Sequence, residues 1–286
     1  LEKQKNLNTP PSAAPPVIPA NAQKTSLPLT LPLREGSVRF LAIGDSGRGN
    51  KQQNELARLM YQYRQVFPFE FVIMTGDNIY GSDKAEDMKK KFEDVYKPLL
   101  NDGVKFYASL GNHDDPNQRF YQFFNMNGEE YYVIKKGDVS LYALNSNYMD
   151  ERQIKWMEEQ FAKDTAGWRI TFFHHPPYSS GRRRGPSKDL REIVEPIFIK
   201  HKVDVVFNGH DHFYERIKPQ KGIYYFITGA GGKISTDLRK DSPQMEKGFD
   251  ADLSFMLIEI DKDEMHFQVI SRSGQTVDSG IIKNPN

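Results

Sequence analysis

VVFNGHDHFYER, residues 205–216, decides how this chain is to be read. Its apolar run, Val205 to Phe207, fits a short strand buried on both faces. The run stops at Asn208-Gly209 and at once presents His210, Asp211 and His212. The chain has seven histidines, so two of them one residue apart beyond a buried strand call for a reason. The same phrase recurs elsewhere in the chain. VRFLAI (38–43) stops at GDSG, with Asp45, and FVIM (71–74) at TGDNIY, with Asp77 and Tyr80. VKFYASL (104–110) stops at GNHD, with Asn112 and His113, and WRITFF (168–173) at HHPPY, with His174 and His175.

Helical spacing fills the gaps between these runs. It appears over 50–66 (Leu56, Leu59, Met60, Tyr63), in a charged stretch over 84–99, and over 150–163 (Ile154, Met157, Phe161). Leu190, Ile193, Val194, Ile197 and Phe198 predict a further helix over 187–200, which Pro196 is expected to disturb or split. Residues 130–144 read as a hairpin around Lys136-Gly137-Asp138. Runs at 223–227, 255–260, 265–270 and near 276–282 predict a C-terminal antiparallel sheet. Strand–helix units followed by hairpins imply an α/β fold, with two mixed β-sheets packed as a sandwich and flanked by helices.

The 286 residues, 38% hydrophobic, suffice for a large core, and residues 35–286 read as a single catalytic domain. A net charge of +1 gives no support to a nucleic-acid scaffold or an acidic membrane surface as partner. The absence of cysteine excludes a disulfide framework, thiolate zinc sites and a thiol nucleophile. No apolar run reaches the 18 or more residues of a transmembrane helix. Residues 1–34 carry Pro10, Pro11, Pro15, Pro16, Pro19, Pro28 and Pro32, and read as an extended tether. Leu1 is not Met, which is expected of a processed chain or of an engineered start. A tether behind a removed export signal or a lipid anchor gives a periplasmic or secreted protein; a disordered cytosolic tail is the other reading.

In open α/β sheets, sites lie beyond the carboxyl ends of the strands, so these five loops are expected to share one edge. Alone, a Gly-Asp turn is most often just a turn, and Tyr80 most often a packing tyrosine. Five such loops in one chain are not independent accidents. Two carboxylates, an amide, a phenol and three imidazoles exceed the needs of one cation and suit two. Two ions about 3.5–4 Å apart can clamp a phosphoryl group and acidify a water.

Taken in order, GDSG, GDNIY, GNHD, HHPPY and GHDH resemble the calcineurin-like metallophosphoesterase superfamily. Tyr80 and GHDHFYER resemble, more narrowly, purple acid phosphatases. The resemblance covers about residues 37–230 and implies a β-sandwich flanked by helices. It implies that Asp45, Asp77, Tyr80 and His212 hold a first metal, with Asp77 bridging, and that Asn112, His174 and His210 complete a second. His174 fits the family's His-x-Pro pattern; His175 is the alternative. The first ion would be Fe³⁺, coloured by its tyrosinate, and the second Fe²⁺, Zn²⁺ or Mn²⁺. A phenol of ordinary pKa about 10 loses its proton only to a strongly Lewis-acidic ion, which also argues for Fe³⁺. By the same resemblance, His113 contacts the substrate phosphate or helps protonate the leaving group.

The loop SSGRRRGPS, 179–187, departs from the pattern. Animal members of the purple group carry a Glu-His pair just before its Gly-Pro; here Arg183 and Arg184 stand there. Arginine cannot serve as a general acid, yet it grips phosphate bidentately. Arg183 and Arg184 are therefore candidate substrate contacts, against the reading of a solvated charge run. The function implied is hydrolysis of phosphate monoesters, on small molecules or phosphoproteins, by a metal-bound hydroxide. A phosphodiesterase or nucleotidase using the same centre, and a non-catalytic binding module, are the rivals.

Overall fold

The computed structural model describes residues 27–284. Six strands form one sheet: β1 (Val38–Ile43), β2 (Phe71–Met74), β3 (Lys105–Ala108), β11 (Ser254–Asp261), β12 (Glu264–Ser271) and β13 (Thr276–Lys283), in the order β13-β12-β11-β1-β2-β3. The other sheet has seven: β4 (Tyr132–Lys136), β5 (Val139–Ala143), β6 (Trp168–Phe173), β7 (Val205–Asn208), β8 (Tyr214–Gln220), β9 (Ile223–Thr228) and β10 (Met245–Phe249), in the order β10-β8-β9-β7-β6-β5-β4. β1, β2 and β3 pair in parallel, as do β5, β6, β7 and β9, and the remaining pairs are antiparallel. Both sheets are thus mixed, as the sequence predicts.

Strand alternation sorts the side chains into layers. Phe40, Ala42, Phe71 and Ile73 of one sheet meet Ile170, Phe172, Val205, Phe207 and Phe226 of the other in the inter-sheet core. Phe40 stacks on Phe71 at 5.1 Å, and Phe207 on Phe226 at 5.5 Å. The opposite faces carry Leu41, Ile43 and Val72 toward helix α1 (Lys51–Val66), and Tyr142 and Val206 toward helices α4 (Glu151–Lys163) and α5 (Lys188–Lys200). Central strands buried on both faces are why their sequences are continuous apolar runs.

Three expectations are corrected. The C-terminal runs do not form one antiparallel sheet. β9 joins the second sheet parallel to β7, whereas β11–β13 extend the first. Pro196 neither breaks nor splits α5, which is continuous over Lys188–Lys200. Pro196 and Glu192, whose carbonyl loses its helical partner, both lie on the exposed side of the helix, so the orphaned group is not sealed in the core. Finally, residues 27–34, assigned to the tether, lie on the domain. Leu27, Leu29 and Leu31 pack on the α1 side of the core, and Glu259 accepts the backbone N–H groups of Leu33 (2.8 Å) and Arg34 (2.6 Å). The rest of the expected tether, residues 1–26, lies outside the described residues. Among the described residues, no helix is long and apolar enough to cross a membrane.

Between β2 and β3 the chain forms α2 (Ala85–Met88), a wide π-helical turn (Lys89–Glu93) and α3 (Asp94–Asn101). Wide turns of this kind favour functional sites. Here Lys91 donates from the turn to the Tyr80 carbonyl at 2.6 Å, tying the helix to the GDNIY loop.

Candidate metal centre

The carboxyl ends of β1, β2, β3, β6 and β7 meet at one edge of the sandwich, and backbone bonds lock their loops together. Asp45 N donates to Gly76 O at 2.9 Å, Gly209 N to His174 O at 3.0 Å, and Tyr80 N to Gly47 O at 2.9 Å. Asp45 (φ 54°), Asp77 (φ 51°) and His210 (φ 71°) each follow a glycine and each adopt the left-handed conformation. Non-glycine residues held there cost on the order of 1 kcal/mol each and gather at functional sites. Gln53, buried in α1, accepts from the backbone of Arg48 (3.1 Å) and Gly49 (2.6 Å), fixing the loop after Asp45.

Two clusters of ligand atoms result, each within 4.8 Å across: Asp45, Asp77 and His212, and His174, His175 and His210. In the first, Tyr80 Oη lies 3.1 Å from Asp45 Oδ1 and 3.3 Å from His212 Nε2. In the second, Asn112 Oδ1 lies 3.1 Å from His174 Nε2 and 3.0 Å from His210 Nδ1. Asp77 reaches both, its Oδ1 being 3.4 Å from His174 Nε2. His113 donates its backbone N–H to that same oxygen at 2.9 Å and sets its ring 5.1 Å from that of Tyr80. His175, the third member of the second cluster, has Nδ1 on Ser146 Oγ at 2.9 Å. The Arg183-Arg184 pair is divided. Arg184 is half-buried, with Nη1 3.4 Å from His212 Nδ1, whereas Arg183 is exposed and is held by its backbone at Asp237.

The chemistry of these donors fits cations. The Thr75 carbonyl, 2.9 Å from His174 Nδ1, can only accept, so that nitrogen carries the proton and Nε2 presents a lone pair. That lone pair faces two further acceptors, Asn112 Oδ1 and Asp77 Oδ1, and His210 Nδ1 at 3.1 Å. Lone pairs converging in this way, two of them on the buried His174 and Asp77, are what a cation would join. Burial, helped by neighbouring histidines, drives His210 down to about 2, and burial with Arg184 and Lys233 drives His212 to about 3. Both rings therefore stay neutral and able to bind. Burial, then the charge of Asp77, lifts Asp45 well above the carboxylate range. Burial, then both carboxylates, raises the Tyr80 phenol, so a cation has to be present for it to ionise.

Sequence reading missed several neighbours. Asp114 binds the second and third loops together, accepting from the backbone N–H of Gly111 (2.8 Å), Asn78 (3.1 Å) and Ile79 (3.0 Å). Its only signal was its place after GNH. Arg48 Cζ lies 5.5 Å, and Lys233 Nζ 5.1 Å, from the centre of the Tyr80 ring. Lys233 follows GAGG, whose glycines let the chain pass against Asp211 and the Asp45 loop: a Cβ on Gly229 would stand 2.2 Å from Asp211 O, and one on Gly232 2.2 Å from Ser46 O. A cleft of about 480 Å³, lined by Asn112, Ser146, Asn147, Tyr148 and His175, opens the second cluster to solvent.

Behind His212, Glu215 is fully buried; Oε2 accepts from Ser180 N at 2.9 Å and Oε1 has no partner. Burial pushes this carboxyl from 4.5 to about 7. Between those values the unfolded carboxyl ionises and the folded one does not, so stability falls as pH rises through that window. Glu215→Gln is expected to remove this loss. In metal-free protein its melting temperature should match wild type near pH 4.5 and exceed it at pH 8, by on the order of 2–3 kcal/mol of stability. Parallel melting curves across that range would refute this.

A sequence profile of the calcineurin-like phosphoesterases matches residues 38–214. Purple acid phosphatase 17 of Arabidopsis thaliana is 28% identical over 239 residues, 70% of each chain. Tartrate-resistant acid phosphatase type 5 of Oryctolagus cuniculus is 25% identical over 302 residues, 87% of this chain and 93% of its own. Among solved structures, the fold matches GAP50, the anchor in the inner membrane complex of Plasmodium. Its TM-score is 0.76 at 19% identity, over 87% of this chain and 90% of that one. The profile covers more than half of the chain, and the relatives carry the narrower likeness: this protein is a purple acid phosphatase-like member of the calcineurin-like phosphoesterase family.

Proposed function

We propose that the chain is a dinuclear-metal phosphatase that hydrolyses phosphate monoesters. The observation that carries this is the crowding of neutral imidazoles, carboxylates, an amide oxygen and a phenol into two adjacent clusters joined by Asp77. Asp45, Tyr80 and His212 would hold one ion, Asn112, His174 and His210 the other, and Asp77 both. His174 is taken as the ligand because its Nε2 faces both Asp77 Oδ1 and Asn112 Oδ1, with His175 the alternative. The ions would supply Lewis acidity and a water acidified to near neutral pH. His113, exposed at the mouth, and Arg184, half-buried at His212, stand where phosphoryl oxygens need donors. The phenol of Tyr80 favours Fe³⁺ at the first position, with Fe²⁺, Zn²⁺ or Mn²⁺ at the second. The proline-rich extension and the family resemblance support a periplasmic or secreted location, and phosphorylated small molecules or phosphoproteins as substrates.

The test is metal content and visible spectrum of freshly purified protein, with parallel assays on a monoester, a diester and a nucleotide. Two ions per chain, a purple or pink band lost in Tyr80→Phe, and preferred monoester hydrolysis are expected. Loaded protein that cleaves no phosphate ester overturns the assignment. Preferred cleavage of the diester moves it to phosphodiesterases, and colourless active protein removes the ferric ion alone.

A further inference from the structure

We propose that a groove leading away from the metal centre seats the polypeptide around a phosphorylated residue, taking a basic side chain in its middle and an apolar one at its far end. The inference rests on the phosphatase reading and names its substrate class. The groove consists of three clefts that share walls. The first is the one that opens the second cluster to solvent. Asp114 and Pro116 line both it and a second cleft of about 300 Å³, which holds His113 in its wall. Asp83 and Gln118 line both the second cleft and a third, of about 380 Å³. Cavities joined end to end suit an extended chain better than a compact small molecule.

The walls define what that chain should carry. Among the described residues, no lysine or arginine lines any of the three clefts. Carboxylates line the middle. Asp83 is exposed, and its carboxylate forms no ion pair and no hydrogen bond among the described residues. The Asp115 carboxylate accepts the backbone N–H of Asn117 at 2.7 Å, and it too has no cationic partner. Such a lining repels nucleotides and polyphosphates, which would bring more negative charge into it, and attracts a lysine or arginine.

Two amides point to N–H donors. Gln118 is 4% exposed, and its Oε1 is buried without a partner. Asn147 Oδ1, in the first cleft, is likewise buried and unpartnered. Buried acceptors without donors are uncommon, and these two lie along one groove. A peptide brings a donor at almost every residue. An aminoalkyl phosphate has the same order of charges and apolar surface but lacks that series of donors, so the peptide fits better.

The far end changes character. Ala85, Met88, Phe120 and Tyr121 line it. Phe120 is 64% exposed and leaves apolar surface open to an incoming side chain. Arg119 stands 4.7 Å from its ring, but Glu130 takes up that charge at 2.8 Å. Glu93, the carboxylate at this end, already accepts from Tyr121 Oη at 2.6 Å.

The experiment uses the metal-loaded full chain as wild type, Asp83→Lys and Phe120→Ser. Both positions are exposed, so neither replacement opens the core. Substrates are phosphoserine peptides with two lysines and two leucines on the amino-terminal or the carboxyl-terminal side. Their counterparts have glutamate for lysine or glycine for leucine, and a long-chain aminoalkyl phosphate completes the set. In one orientation, wild type should prefer lysine to glutamate, and leucine to glycine, at least tenfold in kcat/KM at low salt, mostly through KM. Asp83→Lys should cut the lysine preference at least fivefold and keep that for leucine; Phe120→Ser should do the reverse. A residue that merely held the loop in place would move both preferences together.

Lysine and glutamate peptides within threefold of each other in both orientations overturn the proposal, as does a lysine preference unchanged in Asp83→Lys. An aminoalkyl phosphate cleaved tenfold faster than the best peptide overturns the choice of a peptide. If no phosphate ester is cleaved, the phosphatase reading fails. Calorimetry with the same peptides, bearing a phosphonate that is not hydrolysed, then decides the groove by the same ratios.

Discussion

Asp77→Asn is expected to lower kcat/KM for a phosphate monoester by on the order of 10³-fold or more, about 4 kcal/mol of transition-state stabilisation, and to leave one metal ion or fewer per chain. The replacement is isosteric, and the site is buried, so packing changes little. What changes is charge. Asp77 is the one residue of the proposed ligand set that reaches both clusters, sharing ligand distance with Asp45 and His212 while its Oδ1 stands 3.4 Å from His174 Nε2. A neutral amide cannot bridge two cations as a carboxylate does. The metal-free protein supplies the control. There the charge of Asp77 is the second cause, after burial, of the raised carboxyl of Asp45. Removing it relieves the repulsion, so metal-free Asp77→Asn should melt no lower than metal-free wild type. Loaded variant should melt well below loaded wild type. Stability that falls in both forms would show Asp77 to be a structural residue, and wild-type turnover in fully loaded variant would remove it from the centre.

That contrast between loop and ligand also marks how far the sequence can be read. The apolar runs that stop at GDSG, GDNIY, GNHD, HHPPY and GHDH are local signals. A strand buried on both faces has to be apolar throughout, and a left-handed residue after a glycine has to be short-range business. Hence Asp45, Asp77, Asn112, His174, His210 and His212 were legible as candidates meeting at one edge. Which of them bind which ion came from family resemblance. Partition of the C-terminal strands was not legible, because β9 and β11 carry similar apolar patterns and differ only in the sheet that receives them. β8 and β10 escaped notice because their sequences, YERIKPQ and MEKGF, are largely polar and show no apolar run. Leu27, Leu29 and Leu31 were hidden by prolines, and Gln268, which donates to the Pro28 carbonyl and helps hold this segment, lies 240 residues away. Arg48, Lys233 and Asp114 owe their importance wholly to what the fold places beside them, and composition carries no trace of that.

The second large effect is expected from a residue with no functional group. Gly47→Ala should cost about 3 kcal/mol or more, lower the melting temperature by roughly 6–12 °C, and strip at least one metal ion. Gly47 is the crossing point of the loops that bear Asp45 and Asp77. A Cβ there would sit 1.9 Å from Asn78 O and 2.5 Å from Ile79 Cα. Those are backbone atoms, so no side chain can swing aside to relieve the contact. The loops would have to separate by more than an ångström. The bond from Tyr80 N to Gly47 O, 2.9 Å long, would break, and Tyr80 and Asp77 would move from Asp45 together. Gly274→Ala is the matched control. Gly274 has φ +83° but open space around it. Alanine there strains the backbone by about 1 kcal/mol and touches nothing. It should therefore lower stability a little at full metal occupancy. The pair separates glycine needed for conformation from glycine needed so that two backbones can touch. Gly47→Ala protein with wild-type metal content, melting within 2–4 °C of wild type (about 1 kcal/mol), would show that the loops yield freely. The fold and the ligand geometry would then not be rigidly coupled.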